Sequence, residues 1–338
     1  MTTRRQQKKL GIALMCVALI LTVALFLFFS VFGRQDATAA ETSTSYLLCG
    51  LDDAGANTDV MVLCFADRDA HRVTLLQIPR DTLYRNDDGQ IVKINSLYAR
   101  YLATGEDKGT AARMTRETLS NALSLRIDGA LMLDGDLLAS LVDALGGITL
   151  SVPQSFIYEK EDGKSIRLDA GTQKLNGEKA LAFLRHRQGY LRGDLDRMDA
   201  QKLFFGALAQ RVSKGLSFTD ALRLIALSGK AHFVSDFGLR EASSRLRVLL
   251  SALKNADIRM ATLPGEALYE NRTWYYVACR MASGRLIDEQ LAAFKVGELD
   301  PERRLVCEDI RSVKNAYEQK NTEYRLYALS ELDGILRS

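Results

Sequence analysis

Tyr46-Leu-Leu-Cys-Gly-Leu51, Val60-Met-Val-Leu-Cys-Phe65 and Val73-Thr-Leu-Leu-Gln-Ile78 follow one another with only short Asp-, Gly- and Asn-containing turns between them. Each run is short, apolar and rich in β-formers, so the three read as core strands of one sheet. Downstream the period changes. Ala111, Met114, Thr118 and Leu119 repeat near 3.6 residues, which predicts a helix over Thr110–Leu123. A second helix is expected over Leu137–Leu145, ended by Gly146-Gly147, and a strand over Ile148–Val152, stopped by Pro153. Strands alternating with helices imply an α/β fold, with helices on both faces of a mixed or mostly parallel sheet.

Further helices are expected over Asn176–Phe183, Asp194–Val212, from Ser217 onward, and from Ser235-Asp236 to about Leu253, with a late strand over Tyr275–Ala278. Residues 34–45 are small, polar and aperiodic and read as a tether. Residues 46–295 make one extracytoplasmic domain. Residues 296–338 are charged, lack strong apolar periodicity, and read as a surface tail with some helix.

The N-terminus sets the compartment. Leu10 to Phe32 carries no charge and would span about 35 Å as a helix, against a hydrocarbon core of roughly 30 Å. Arg4, Arg5, Lys8 and Lys9 precede it, so residues 1–9 are expected in the cytoplasm and residues 10–33 in the membrane. A cleaved signal peptide would have an apolar stretch of only about 7–15 residues. The expectation is a single-pass protein of the cell membrane with its domain outside. Of the 45 basic residues, five lie in residues 1–34, leaving 40 against 42 acidic ones. The basic surplus therefore belongs to the anchor, and nothing points to nucleic acid. Cys49 and Cys64 sit in apolar runs as small buried hydrophobes, and no zinc spacing occurs.

The polar residues of interest stand at the ends of these elements. Arg80 and Asp81 follow a strand and Pro79, at the carboxyl end where open α/β sheets bind ligands. Alone, an Arg-Asp pair there is equally well a local ion pair. Arg185-His186-Arg187, if extended, points both guanidinium groups to one side, an arrangement suited to phosphate oxygens or to a solvated basic surface. Asp194 reads as an N-cap that either binds a divalent cation or holds an arginine. Arg197 then lies in the first turn of its helix, with Gln201 one turn on, which makes a natural anion site. Asp52 and Asp59 are two carboxylates able to hold Mg²⁺ jointly, or simply turn-forming aspartates. There is no Gly-x-Ser-x-Gly elbow, no Walker loop and no His-Glu-x-x-His, so covalent serine catalysis and zinc hydrolysis are poorly supported.

Taken together, Gly50-Leu51-Asp52, Thr58-Asp59-Val60-Met61, Ile78-Pro79-Arg80-Asp81-Thr82 and Lys93-Ile94-Asn95 resemble the LytR-CpsA-Psr family of cell-wall glycopolymer transferases. The resemblance continues through Val142-Asp143-Ala144-Leu145-Gly146-Gly147-Ile148, Gly171, Leu175-Asn176-Gly177, Arg185-x-Arg187 and Asp194-x-x-Arg197-x-x-x-Gln201. It extends less specifically to about Leu291, and the anchor fits the family's layout. It implies a three-layer α/β/α sandwich with a mixed central sheet and an apolar tunnel for a polyprenyl chain. It also implies Asp52 and Asp59 as Mg²⁺ and pyrophosphate carboxylates. Arg80, Lys93, Arg185, Arg187, Asp194, Arg197 and Gln201 are implied as the pyrophosphate site.

The implied reaction moves a glycan phosphate from polyprenyl pyrophosphate to a peptidoglycan hydroxyl. Asp81 or Asp59 would take the proton and Arg80 would stabilise charge. The rival expectations are a non-catalytic polyprenyl-phosphate-binding or regulatory module, or a pyrophosphatase alone. The chain departs from the family at Asn57-Thr58-Asp59, where members usually read Arg-Ser/Thr-Asp. It departs again at Ala200-Gln201, where they commonly read Arg-Gln.

Overall fold

The computed structural model describes residues 42–86, 88–160, 162–186, 194–215, 220, 223, 233–237, 248–270, 272–298, 305 and 324–334. The chain opens with strands β1 (Ser43–Leu51), β2 (Thr58–Asp67) and β3 (Arg72–Gln77), then a small hairpin of β4 (Leu83–Arg85) and β5 (Ile91–Lys93). Helices α1 (Leu97–Ala103) and α2 (Lys108–Leu123), strand β6 (Gly129–Leu133) and helix α3 (Gly135–Ala144) follow. Next come β7 (Ile148–Val152), β8 (Phe156–Glu159), β9 (Ser165–Leu168), β10 (Gly171–Leu175), and helices α4 (Gly177–Arg185) and α5 (Asp194–Ser213). Then come β11 (Phe233–Ser235), β12 (Asp257–Thr262), the hairpin β13 (Gly265–Glu270) and β14 (Thr273–Ala278), helix α6 (Arg280–Gln290), and β15 (Leu326–Ala328).

Seven of the strands form one sheet in the order β11-β6-β1-β2-β3-β12-β15. β6 runs parallel to β1 and β12 parallel to β3, whereas β1–β2, β2–β3, β11–β6 and β12–β15 are antiparallel. The sheet is therefore mixed. Alternation along its strands sends Leu47, Met61, Leu63, Phe65 and Leu76 to one face, against Ala111, Leu119 and Leu286. Val62, Cys64, Ala66, Val73 and Leu75 go to the other face, against Val142, Phe183, Ala200 and Phe204. Helices on both faces make three layers, and strands covered twice read as unbroken apolar runs. The thiols belong to this packing. Burial pushes Cys64 up to about 12 and Cys49 higher still, so both stay protonated and apolar.

Helix starts follow capping chemistry. Asp107 accepts from the Gly109 and Thr110 amides, Asp134 from Leu137, and Asn176 from Lys179, each at the head of its helix.

Four expectations change. The tether ends earlier than its polar composition implies. Thr44 and Ser45 are fully buried in β1, because the Ser45 amide donates to Asp128 Oδ2 at 2.8 Å and its hydroxyl to the Arg126 carbonyl at 2.7 Å. Ser235 closes β11 rather than opening a helix. Asp236 instead accepts from the Ala130 amide at 2.7 Å and pairs with Arg116 at 2.5 Å; of the expected helix, residues 248–253 are helical and residues 238–247 lie outside the described residues.

Arg185 is the last residue of α4, so it does not alternate along a strand with Arg187, which lies outside the described residues. Finally, the tail is not all surface. Leu326–Ala328 pairs with β12 as an edge strand, and Leu332, 3% exposed, packs in the core. The expected membrane span at 10–33 lies outside the described residues, as does the helix from Ser217 apart from Asp220 and Arg223, which are helical. Among the described ones no helix is long and apolar enough to cross a membrane.

Candidate functional site

A cavity of about 390 Å³ opens at the carboxyl ends of β1 and β6. Its wall is apolar, built by Leu51, Val60, Leu133, Leu138, Ile157, Leu181 and Leu184. Its mouth is charged, with Asp52, Asp53, Asp59, Asp134, Arg185 and Arg197 beside Gln201. Segments distant in sequence thus meet at one opening, as expected of a ligand site at strand ends.

Asp52 sits where β1 gives way to the loop into β2. Its Oδ1 accepts from the Ala56 and Asn57 amides at 2.9 and 3.2 Å, and its Oδ2 from Asn57 Nδ2 at 2.9 Å. Burial works to raise its pKa, but these donors outweigh it and hold the carboxyl below its ordinary value. Asp52 is therefore an anion at neutral pH.

Asp59, in β2, pairs with Arg80 at 2.7 Å. Arg80 and Asp81 occupy the corner of a turn closed by the Thr82 amide on the Pro79 carbonyl at 3.0 Å, which turns both side chains out of the sheet. Arg80 Nε stands 3.7 Å from Asp81 Oδ2, and Lys93 Nζ is 2.7 Å from Asp81 Oδ1. Asp59, Arg80, Asp81 and Lys93 thus form a row of alternating charge. Asp59 lines the cavity, while Asp81 and Lys93 lie behind Arg80 and do not.

The opposite lip comes from α4 and α5. Arg185 reaches across to Asp53 at 2.5 Å. His186 is buried and stacks on Phe156 with ring centroids 3.8 Å apart, which makes it a packing residue. Arg197, one turn into α5, is only 3% exposed, and Gln201 one turn later is equally buried. Gln77 Nε2 donates to Gln201 Oε1 at 2.7 Å, tying the end of β3 to α5.

Asp52, Asp59, Arg185, Arg197 and Gln201 therefore share the cavity, and Arg80 joins it through Asp59. Arg187 and the Asp194 side chain lie outside the described residues. Sequence reasoning missed Asp53 and Gln77. Gln77 carried a signal: it is a lone amide within the apolar run of β3.

Among the described residues no group of three or more His, Cys, Asp or Glu is placed to hold a metal. Mg²⁺ does not require one, since it takes one or two carboxylates and completes its shell with water and phosphate oxygens. Asp52 and Asp59 at one mouth are hard oxygen donors of that kind, and they fit it.

The sequence model of the LytR_cpsA_psr family matches residues 31–290. The chain belongs to this family. Among relatives of this LytR-CpsA-Psr protein, TagV of Bacillus subtilis carries the name polyisoprenyl-teichoic acid–peptidoglycan teichoic acid transferase. It is 30% identical over 246 residues, which cover 69% of this chain and 60% of TagV. The cell wall biosynthesis protein LcpA of Corynebacterium glutamicum is 28% identical over 275 residues, covering 69% of this chain and 52% of LcpA. This chain therefore spans little more than half the length of either.

The crystal structure of B. subtilis TagV superposes with a TM-score of 0.56 at 27% identity, covering 70% of this chain and 90% of that one. The fold is also that of protein gbs0355 from Streptococcus agalactiae, with a TM-score of 0.67 at 19% identity over 82% and 97% of the two chains.

The two departures of this LytR-CpsA-Psr protein have local accounts. Asn57 replaces a long cation with a short amide that donates to Asp52 and fixes the β1–β2 loop. Ala200 is fully buried among Val142, Phe183 and Leu203, where a guanidinium would have no solvent.

Proposed function

We propose that this protein is a membrane-anchored phosphotransferase. It moves a glycopolymer, as its phosphate, from a polyprenyl-pyrophosphate carrier to a peptidoglycan hydroxyl and releases polyprenyl phosphate. One observation carries the reading: a single cavity combines a long apolar wall with a mouth of two or more carboxylates and two arginines. An amphiphile with an isoprenoid tail and a pyrophosphate head matches that division. The names of its relatives support the acceptor, and the apolar run at residues 10–33 supports an anchor that leaves the domain outside the cell membrane.

In this reading Arg185 and Arg197 hold the pyrophosphate as planar, permanently charged donors, and Gln201 adds a neutral one. Arg187 and the Asp194 side chain, which lie outside the described residues, are read as further pyrophosphate contacts from the family resemblance alone. Asp52 and Asp59 would hold Mg²⁺, which supplies neutralisation of the charge that builds on the phosphate oxygens. Arg80 lies between Asp59 and Asp81, so it can turn from one carboxylate toward the phosphate. Lys93 then keeps Asp81 in place.

The acceptor oxygen attacks the phosphorus next to the glycan. The bond to the bridging oxygen breaks, polyprenyl phosphate leaves, and the hydroxyl proton passes to Asp81. Asp81 is favoured over Asp59 because Asp59 lines the cavity the donor would fill and is paired with Arg80, whereas Asp81 does not line it. Alignment and charge neutralisation carry the rate, as phosphoryl transfer requires.

The test is to incubate the full chain with lipid-linked glycan, Mg²⁺ and peptidoglycan. Release of polyprenyl monophosphate with glycan captured on the wall polymer is expected. Monophosphate with free glycan would mean a pyrophosphatase, and binding without product a carrier or regulatory module.

A further inference from the structure

Gln77 closes β3 with its side chain on the face of Val73 and Leu75, which pack in the core there. Its backbone is held from both sides, in register with Val62 of β2 and Thr262 of β12, and its carbonyl accepts from the Leu263 amide at 2.8 Å. The residue is 2% exposed. Among the described residues its side chain makes a single hydrogen bond, from Nε2 to Gln201 Oε1 at 2.7 Å, and its own Oε1 is buried without a partner.

An amide enclosed in this way weakens the fold. It forms one hydrogen bond and strands one acceptor, so it loses more on leaving water than it regains. Methionine, apolar and of the same length, would avoid that loss. Gln77 does not line the cavity, so it is not itself a ligand contact. A stranded buried polar group calls for an explanation, and its one partner supplies it.

That partner, Gln201, lines the cavity with Arg197. A side-chain amide has an oxygen that only accepts and an NH2 that only donates. Turned one way, Gln201 would offer the cavity an acceptor, which phosphate oxygens repel. Turned the other way, it offers two N–H donors. Gln77 Nε2 is a donor and engages the Oε1 end, so the NH2 is the end left for the cavity.

The geometry points to Gln77 as a positioning residue for the anion site: it holds the Gln201 amide by its oxygen, so that Gln201 meets phosphate oxygens with N–H donors. The inference rests on the reading of the mouth as a pyrophosphate site. Fixing the amide in advance also spares the ligand the rotamer entropy that a free glutamine would lose on binding.

The test is calorimetric titration of the full chain, in mild detergent with Mg²⁺, with geranyl pyrophosphate, a water-soluble isoprenyl pyrophosphate. Gln201→Met should weaken binding about tenfold, the loss of one hydrogen bond to a charged group. Gln77→Met should weaken it about threefold to tenfold, because the amide is no longer held in its binding orientation. The melting temperature of Gln77→Met should equal or exceed that of the native chain, since the stranded acceptor is gone. A residue that only braced β3 against α5 would lower it. In the Gln201→Met background, Gln77→Met should cause no further loss, there being no amide left to orient.

Native affinity in Gln77→Met, with Gln201→Met weakened, overturns the positioning role and leaves the pyrophosphate reading standing. A loss equally large in the Gln201→Met background does the same. Native affinity in Gln201→Met also overturns the role, by removing Gln201 from the anion site. A native chain that does not bind the probe contradicts the pyrophosphate reading, and the inference falls with it.

Discussion

Arg197 keeps its charge at any pH the protein meets, yet it is 3% exposed. A buried guanidinium is costly to hold, and at the cavity mouth a bound pyrophosphate would add anionic oxygens to its partners. Arg197→Ala should lower kcat for transfer by about 10²-fold or more, in line with removal of one preorganised charge donor. Arg197→Lys should recover only part of it, because a compact ammonium cannot span two phosphate oxygens. Single-turnover rates with both substrates check this.

Asp52 makes a pH prediction. Its folded pKa lies below the ordinary value, so its ionised form adds stability that is present above about pH 4 and is lost as pH falls through the folded value. In Asp52→Asn the acid limb of a melting-temperature profile should flatten. Asn57→Ala, which removes one of the three donors, should move that limb to higher pH. An unchanged profile in both would remove Asp52 from the account of the loop.

Among the elements, α4 is the most exacting. Gly177 begins it with its amide on Asp143 at 2.8 Å, and any Cβ there would run into the Ala139 carbonyl of α3. Ala for Gly in an open helix gains up to about 1 kcal/mol. Here Gly177→Ala should instead destabilise by about 1–3 kcal/mol, as overpacking does. It should also displace Arg185, which α4 delivers to the mouth. Asn176→Ala, which removes only the cap, should cost about 1 kcal/mol and leave transfer largely intact. Urea denaturation of the two variants separates the effects.

These elements were legible to different degrees, for physical reasons. Apolar runs at strand or helix period declared themselves. Ser43–Ser45 did not, because polar residues enter a core only with partners, and Asp128 is 83 residues from Ser45. Ser235-Asp236 resembled a helix start, but the same chemistry of a short side chain accepting amides serves a strand end here. The alternation of Arg185 with Arg187 failed because α4 runs two residues beyond Phe183 and ends on Arg185.

At the scale of the whole molecule, the chain returns to its own sheet. β15 pairs with β12, and Leu332 packs close to where a Gly206 side chain would be, on the helix that carries Arg197 and Gln201. Leu332→Ala should cost about 2–4 kcal/mol, read by denaturant melting, although the residue lies beyond the family match. A charged stretch with one short, half-buried edge strand gives little periodicity to read.

The convergence of the site was legible as motifs in order, but its division was not. Only the fold shows that Asp59 lines the cavity and Asp81 does not, and that seven apolar side chains from six elements build one wall. That wall is the central claim, and the lipid it holds is the most direct test. Mass spectrometry of organic extracts from the full chain, purified in mild detergent, should find polyprenyl phosphate or pyrophosphate, depleted in a Leu138→Arg variant that fills the wall with charge. Extracts with only bulk phospholipid, equal in both proteins, would contradict the account.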